Sequence, residues 1–498
     1  MMTRTGNFQG DAVIPRIRTA TYRGSLSISW PEPGTEPVNL LSPRPAFRKL
    51  RVLVDVDTVD VNSSEFCLKW LLTGLLQHPY IDAYRYSEAG PPASAPRHTV
   101  GHTEVVPGWV VLGSVHPDSV MYSSKQTVTY ASIQGNAPDV AEHDTQATAY
   151  SSLGPVEASK RRRADMIVAL VAVAVRADIL VTERTYLHQL AWAPADGVTF
   201  CRPQDALALV GLYLRAQKQY VILPDLTCNK GLFYWVGARE LLPNAWGWFS
   251  ALVQHDGTSI DGELTSLGGS VLSRVSRALE VRDEVHLALN VPQNNDTADD
   301  ALAALDTVCL LLMGALDAAA LVVHKVVQLT GPDYIVGWRR KDWRRALMKR
   351  APDFRPMLEI NTDGERVLTV LALLRNTIHG AALQPIAVGN QLGRRDSTLL
   401  GLPAAQTARL LIAIDSLGGR AAWGIQQLLP NRFYADPGLL LEQLFPRTVG
   451  LLDSLLAATP VERLDASEVG AARGSPPSEP DSPFSPEKRR SIRWQLGL

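Results

Sequence analysis

The chain has 498 residues and a formal net charge of −1, and 20% of its residues are charged. This length exceeds that of a usual single domain, so two or three domains are expected. The balanced charge excludes polyanion binding by the whole chain but leaves room for local basic patches. The four cysteines are far apart and form no CxxC pair, which indicates a reducing compartment and argues against a zinc site or a disulfide framework.

The sequence shows no segment of membrane or signal type. The N-terminus lacks the apolar core of a signal peptide. Among the later apolar runs, Met166–Val175 is too short to span a bilayer, and Val308–Val323 is interrupted by Asp317. We therefore expect a cytoplasmic protein that has no membrane partner.

The chain opens with an arm and a first strand–helix unit. Residues 1–47 are rich in Pro, Gly, Thr and Arg, with one candidate strand at Ser25–Trp30. The run Arg51–Asp55 is typical of a buried strand. Ser63 or Ser64 can cap the helix that follows, so Glu65 is expected in its first turn.

A long insertion separates this unit from a second group of elements. Residues 89–159 are rich in Ser, Pro, Gly, Thr and His, and only Glu104–Val115 resembles a strand. Such a connection is typical of a lid, a partner surface or a disordered segment. A helix with Asp165 in its first turn is expected next, and then the elements Ile179–Val181, Val198–Cys201 and Gln204–Gln217. This order predicts a three-layer α/β domain with a mainly parallel sheet over residues 48–217.

After a short strand at Tyr220–Leu223 the apolar spacing becomes helical. It predicts an all-α C-terminal domain over residues 218–464. The tail, residues 465–498, is rich in Pro and Ser and is predicted to be disordered. The predicted helical segments are Asp283–Val291, which is short enough to be a strand instead, Thr297–Leu329, Asp342–Lys349, Glu365–Leu383, Pro403–Ser416 and Pro437–Ala457.

Four acids of the α/β domain stand where strand ends and helix starts should converge. They are Asp55, Glu65, Asp165 and Glu183. Unpaired carboxylates in one place repel one another, and a hard cation such as Mg²⁺ or Mn²⁺ relieves that repulsion. Bound there, such an ion can activate water for phosphodiester hydrolysis. The alternative interpretation is that the acids are solvated caps of a buried βα unit.

The phrases RVLVD, ADMIVALVAVAVRADILVTERTYL and VTFCRPQDALALVGLYLR resemble, in their order, a PIN-type nuclease domain. PIN domains are three-layer α/β, metal-dependent ribonucleases, many of them toxins or RNA-processing enzymes. The resemblance implies that Asp55, Glu65 and Asp165 bind Mg²⁺ or Mn²⁺ and that Glu183 is the fourth acid. The family often has Thr-x-Asp after the later strand, whereas Thr182-Glu183-Arg184 puts an arginine at the expected Asp.

A second motif lies in the helical domain, at Leu371–Leu383. On a helix, Arg375 and His379 would share one face, one turn apart. His379 can act as a general acid or base, Arg375 can stabilise negative charge, and Asn376 can orient either one. The alternative is a pair of boundary side chains that bond to a neighbouring helix.

The same residues resemble the Arg–Asn–…–His motif of HEPN domains. These are all-helical modules of metal-independent ribonucleases in toxin and anti-phage systems, and they often act as dimers. The resemblance therefore implies a homodimer through the helical domain. Three residues separate Arg375 from His379, fewer than the common family spacing.

Two basic stretches are candidate RNA contacts. The first, Lys160–Arg163, precedes Asp165, and the second, Trp338–Arg350, combines seven Lys or Arg with two Trp. Such a composition suits phosphate contacts and base stacking on single-stranded nucleic acid; the alternatives are a solvated loop and a solvated helix whose tryptophans pack inward. The predicted nucleic-acid-binding residues are Arg161, Arg162, Arg163, Arg339, Arg340, Arg344 and Arg345.

These patterns favour a metal-dependent ribonuclease, with a role in toxin or anti-phage systems implied by resemblance alone. The alternative is a non-catalytic RNA- or protein-binding module, in which a degenerate PIN-like domain stands beside a helical scaffold. Arg184 and the short Arg375–His379 spacing favour that alternative.

Overall fold

In the computed structural model, the described residues are 49–60, 65–100, 103–112, 129–131, 152–189, 198–257, 262–291, 293–388, 397–465 and 484–498. The described chain divides into two compact units, the first ending at Gln217 and also including Leu223–Asp225 and Gly497. The predicted strand Ser25–Trp30 and the candidate caps Ser63 and Ser64 lie outside the described residues.

The first unit is built on a four-stranded parallel sheet, whose strands lie in the order β2 (Ile81–Tyr86), β1 (Leu50–Asp55), β7 (Ile179–Val181) and β8 (Thr199–Cys201). Leu53 and Leu180 belong to a core cluster shared with Met166 of helix α2, while Val52 and Val181 are also fully buried. Because side chains alternate along a strand, both faces of the sheet are covered. The elements are β1 (Leu50–Asp55), α1 (Leu68–Leu75), β2 (Ile81–Tyr86), β3 (His98–Val100), β4 (Thr103–Val105), β5 (Val110–Leu112), β6 (Thr129–Ala131), α2 (Pro155–Ala174), β7 (Ile179–Val181), α3 (Thr185–Gln189), β8 (Thr199–Cys201) and α4 (Pro203–Ala216).

The predicted α/β architecture with a parallel sheet is thus confirmed, but several local expectations were wrong. Strand β2 was missed, and the 89–159 insertion holds parts of two small sheets, β3-β4 and β5-β6. Helix α1 begins at Leu68 with Cys67 as its N-cap, so Glu65 precedes the helix. Helix α2 begins at Pro155, favoured at a first helical position, so Asp165 stands in its third turn and Arg161–Arg163 lie inside the helix.

The second unit is mostly helical. Its centre is the hairpin of two long helices, α7 (Glu263–Leu289) and α8 (Asn295–Val326), which are joined by a connection of five residues and are therefore antiparallel neighbours. Strand β9 (Val221–Leu223) belongs to this unit except for its last residue, Leu223. The other elements before the second sheet are β10 (Leu226–Thr227), α5 (Lys230–Leu241), α6 (Ala245–Asp256), α7 (Glu263–Leu289), α8 (Asn295–Val326), α9 (Lys341–Arg350), α10 (Arg355–Leu358) and α11 (Asp363–Thr377), and the later helices are α12 (Ala404–Asp415), α13 (Pro437–Ala457) and α14 (Pro486–Gln495).

The prediction of an all-α second domain was wrong, because this unit also contains a four-stranded antiparallel sheet of order β11-β12-β14-β13. The strands have four or five residues each, too few for a strong alternating pattern. Their bounds are β11 (Gln384–Val388), β12 (Ser397–Gly401), β13 (Ile425–Leu429) and β14 (Arg432–Ala435).

The end of the chain also differs from the expectation of a disordered tail. Helix α14 buries Ile492 completely, and the side chain of Gln495 donates to the backbone oxygen of Val221 at 2.9 Å. Gly237 of α5 allows this approach, since a Cβ there would lie 2.7 Å from Leu496 Cδ1. The Pro/Ser-rich composition before the helix hid its short apolar pattern.

Helix α8 is long and apolar enough to cross a membrane by length and composition, but 61% of its most apolar window is buried inside the protein. Its apolar face packs against α7, α11 and α13. A mostly buried core helix can have the same length and composition as a membrane-spanning one.

Candidate functional site: a carboxylate cluster around Arg184

The candidate site lies at the carboxyl ends of β1, β2 and β7. The parallel register brings Asp55, Tyr86 and Val181 to one edge of the sheet. The chain passes from β1 to β2 on one side and later to β7 on the other, so a topological switch point lies between β1 and β7. Ligand sites of open α/β sheets are found at such points.

Arg184 occupies the centre of this edge. Its Nε donates to Asp55 Oδ2 at 2.7 Å and its Nη2 to Asp55 Oδ1 at 3.2 Å. Its Nη1 donates to Asp165 Oδ1 at 2.7 Å and to Glu88 Oε1 at 2.8 Å, and Asp57 Oδ2 lies 3.5 Å from Nη2. The Arg184, Asp55 and Asp165 side chains have no exposed surface. We call these five residues the Arg184 cluster.

Asp55 is the most fully bonded acid of the cluster. Besides the two bonds from Arg184, its Oδ2 accepts from Thr58 Oγ1 and Thr182 Oγ1, both at 2.8 Å. Thr182 and Arg184 follow β7 directly, so the strand end supplies both a hydroxyl and a cation. Asp55 therefore has its charge and its hydrogen bonds satisfied within the protein.

Asp165 is less well satisfied. Its Oδ1 accepts from Arg184 and lies 3.4 Å from Arg161 Nε, one helical turn earlier. Its buried Oδ2 has no hydrogen-bond partner among the described residues. Burial raises the pKa of Asp165 to about 6, although its hydrogen bond to Arg184 lowers it. Asp165 is therefore the least well stabilised buried acid of the cluster, since one of its two carboxylate oxygens accepts no hydrogen bond from a described residue.

The pKa of Arg184 is shifted in the opposite sense. Burial alone would lower it, but hydrogen bonds to Asp55, Asp165 and Glu88 raise it above its ordinary value. The same cluster affects Tyr86, whose pKa is raised to about 12, first by burial and then by Glu88. The guanidinium is thus permanently charged and neutralises acids that would otherwise repel one another.

The predicted acids are only partly brought together. Asp55 and Asp165 meet at Arg184. Glu183 is exposed and lies 3.7 Å from Lys69 Nζ, outside the Arg184 cluster. Glu65 is exposed and precedes α1. Glu88 was missed because β2, which ends two residues before it, was not recognised as a strand.

In this arrangement the acids do not fit a resident divalent cation. The Arg184 guanidinium bonds to the same carboxylate oxygens of Asp55 and Asp165 that such an ion would need. Among the described residues, no group of three His, Cys, Asp or Glu side chains is arranged to hold a metal ion. The assignment of Mg²⁺ or Mn²⁺ stays a prediction from the PIN resemblance.

The second motif is split by the end of a helix. Helix α11 stops at Thr377, with Arg375 and Asn376 in its last turn. His379 follows the helix and is exposed, and its backbone N–H donates to the Asn376 oxygen at 3.3 Å. The expected helix to Leu383, with both side chains on one face, was therefore wrong. Arg375 is near Asp317 of α8. Burial raises the pKa of Asp317 above its ordinary value, and the charges of Arg375 and Arg274 reduce that rise.

Both tryptophans of the basic stretch pack inward. The Nε1 atoms of Trp338 and Trp343 donate to Leu316 O at 2.7 Å and to His324 Nδ1 at 3.1 Å, respectively. Their rings meet edge to face at 5.3 Å. Base stacking on these tryptophans is therefore excluded, and the alternative of inward packing holds.

The cations of this stretch stay on the surface. Arg339, Arg340, Lys341 and Arg345 are exposed, and we call these four residues the basic surface. The pKa of Arg339 is lowered by partial burial and then by the nearby charge of Arg409 from α12. Acids compensate part of this charge, since Arg345 lies 3.3 Å from Asp342 and Glu365 raises the pKa of Arg339, whereas Arg340 and Lys341 make no ion pair with a described residue and could contact an anion.

Comparisons with known proteins add no family to this description. No protein-family model, no curated protein and no solved structure matches the chain.

Proposed function

We propose that this protein binds single-stranded RNA without cleaving it and that the Arg184 cluster is a structural element of a degenerate PIN-like domain. The observation that carries this proposal is the guanidinium of Arg184, 2.7 Å from both Asp55 and Asp165. A buried arginine bonded to both predicted metal ligands neutralises their charge as a metal ion would, but it does not activate water for hydrolysis as a metal ion does.

The basic surface supports the RNA-binding half of the proposal. Its cations can contact phosphates, and Tyr334, 78% exposed and five residues before Arg339, offers a ring for base stacking. The Arg184 cluster is a poor RNA surface, because its solvent-accessible members Asp57 and Glu88 are acidic. RNA is therefore expected at α9 rather than at the sheet edge.

The binding test is fluorescence anisotropy of a labelled single-stranded RNA at several salt concentrations. The double variant Arg340→Glu, Arg345→Glu should weaken binding and lower the salt slope by about 1.4, since each lost phosphate contact contributes about 0.7 for single strands. Tyr334→Ala should weaken binding with an unchanged slope. The matched control is Arg202→Glu, Arg493→Glu, two exposed arginines elsewhere. Equal losses in both double variants would contradict a specific basic surface.

A metal-dependent ribonuclease is the second candidate function. It is favoured by the convergence of four carboxylates at the switch point and by the unpartnered Oδ2 of Asp165. For this candidate, the Arg184 side chain would first have to leave Asp55 and Asp165.

Cleavage of a mixed RNA pool with Mn²⁺ or with EDTA separates the candidates. The proposal expects no cleavage in either condition. Cleavage with Mn²⁺ alone, abolished by Asp55→Asn, would establish the second candidate instead. Cleavage that survives EDTA and is lost in His379→Ala would move the chemistry to Arg375 and His379.

A further inference from the structure

A cavity of about 320 Å³ lies between helices α5, α6 and α7 of the second unit. Its walls include the aromatic side chains Tyr234, Trp235 and Phe249. This volume is at the lower end of the range for small-molecule sites. None of its residues belongs to the basic surface or to the Arg184 cluster.

One stripe of α7 forms the polar side of this cavity. Gly269, Ser273, Ser276 and Glu280 recur at helical spacing, and Arg277 lies beside them. Gly269 adds no side chain, and a Cβ there would lie 4.0 Å from Phe249 Cε2, in ordinary contact. The glycine therefore leaves open space that a longer side chain would fill.

The charges of the cavity leave one cation uncompensated. Glu280 is paired with Lys230 at 2.5 Å, and this hydrogen bond raises the pKa of Lys230. Arg277 is exposed and makes no ion pair with any described residue. An arginine beside two hydroxyls suits an anionic group, which it can bind through two parallel N–H groups.

The aromatic wall is held in place before any ligand arrives. Tyr234 Oη donates to Asp283 Oδ2 at 2.7 Å, which fixes its ring against α7. Trp235 meets Trp246 edge to face with ring centroids 4.7 Å apart, and Arg239 stacks over Trp246 at 5.0 Å. Rings fixed in this way offer planar contact without a large loss of side-chain freedom.

We infer that this cavity binds a small ligand made of a planar aromatic ring and an anionic group, with the ring against Trp235 and Phe249 and the anion at Arg277. A nucleoside monophosphate and an aromatic carboxylate share this chemistry. The inference does not depend on RNA binding, because the basic surface and the cavity share no residue.

The test is isothermal titration of the full chain with adenosine monophosphate and, separately, with indole-3-acetate. Binding of the first identifies a nucleotide as the source of the ligand, and binding of the second identifies an aromatic acid; either result supports the site if the variants below abolish it. If neither probe gives a heat of binding, the inference is overturned.

Two variants locate the binding. Gly269→Leu should weaken it at least about 10-fold by filling the cavity, whereas Gly450→Leu should not change it, since nothing lies within 4 Å of a Cβ at that helical glycine. Arg277→Ala should weaken adenosine monophosphate at least about 10-fold, within the range for a charge-assisted bond, and leave neutral adenosine unchanged. Binding that persists in Gly269→Leu would contradict the site.

Discussion

At the scale of single residues, Arg184 decides how the acids of the first unit are used. It replaces mutual repulsion among Asp55, Asp57, Glu88 and Asp165 with a network of ion pairs, in which Asp55 and Asp165 are buried and Asp57 and Glu88 are partly exposed. Such a network contributes little more to stability than a well-packed apolar core would, but removing one partner leaves the other buried charges uncompensated and is strongly destabilising. The stability of the first unit should therefore depend strongly on this one side chain.

Arg184→Ala should lower the free energy of unfolding by about 3–5 kcal/mol, because it leaves buried Asp55 and Asp165 without their cation. Urea denaturation followed by circular dichroism measures the change. The control Arg202→Ala removes an exposed arginine and should stay within about 0.5 kcal/mol of wild type. A loss below about 1 kcal/mol in Arg184→Ala would contradict a buried network that holds the sheet edge together.

Asp165 gives the same site a pH dependence. Its pKa rises from 3.8 to about 6 in the folded protein, mainly through burial. Protonated Asp165 therefore favours the folded state below pH 3.8, and that contribution is lost as the pH rises through about 6. The stability of wild type relative to Asp165→Asn should fall by on the order of 2–3 kcal/mol across this window. Denaturation curves at successive pH values measure the difference, and a constant difference would contradict the shift.

At the scale of elements, helix α14 turns the end of the chain into part of the second unit. Ile492 and Ser491 are fully buried, and Arg489 Nε lies 2.6 Å from Glu240 Oε1 of α5. Arg282 of α7 adds a bond from its Nη1 to the Leu496 oxygen at 2.7 Å. These contacts, rather than helix propensity, hold a ten-residue helix that would be marginal alone.

Ile492→Ala should destabilise the second unit by about 2–5 kcal/mol, the cost of deleting a buried aliphatic side chain. Arg493→Ala, an exposed change on the same helix, should have little effect. Thermal unfolding of both variants measures the contrast. Equal melting temperatures for the two variants would show that α14 does not pack on α5 in solution.

At the scale of the whole molecule, the chain has two compact units, each with its own buried side chains. Chains of this size often depart from two-state unfolding. Because the net charge is −1, the proposed RNA binding would depend on local rather than overall charge.

We expect two transitions in differential scanning calorimetry of the full chain. Arg184→Ala should lower the temperature of one transition, and Ile492→Ala should lower that of the other, because each variant removes contacts within a single unit. A single transition that both variants shift equally would contradict independent unfolding.

Elements with strong local patterns could be predicted from the sequence alone. Buried runs such as Leu50–Asp55 and Ile179–Val181 and the long apolar helix Asn295–Val326 were recognisable because their periodicity or continuous burial is local information. The meeting of Asp55 with Asp165 was also expected, but the expected position of Asp165 in the first turn of its helix was wrong, because α2 begins ten residues earlier at Pro155.

The contacts of these acids and the folding of the short segments depend on the tertiary structure. Arg184 was visible as a departure from the PIN pattern, but its bonds to Asp55 and Asp165 depend on strand pairing between residues more than 120 positions apart. Glu88, the sheet of β11 to β14 and helix α14 likewise depend on contacts distant in sequence. Short elements gain their stability from such packing rather than from local propensity, so their sequences carry little of the signal.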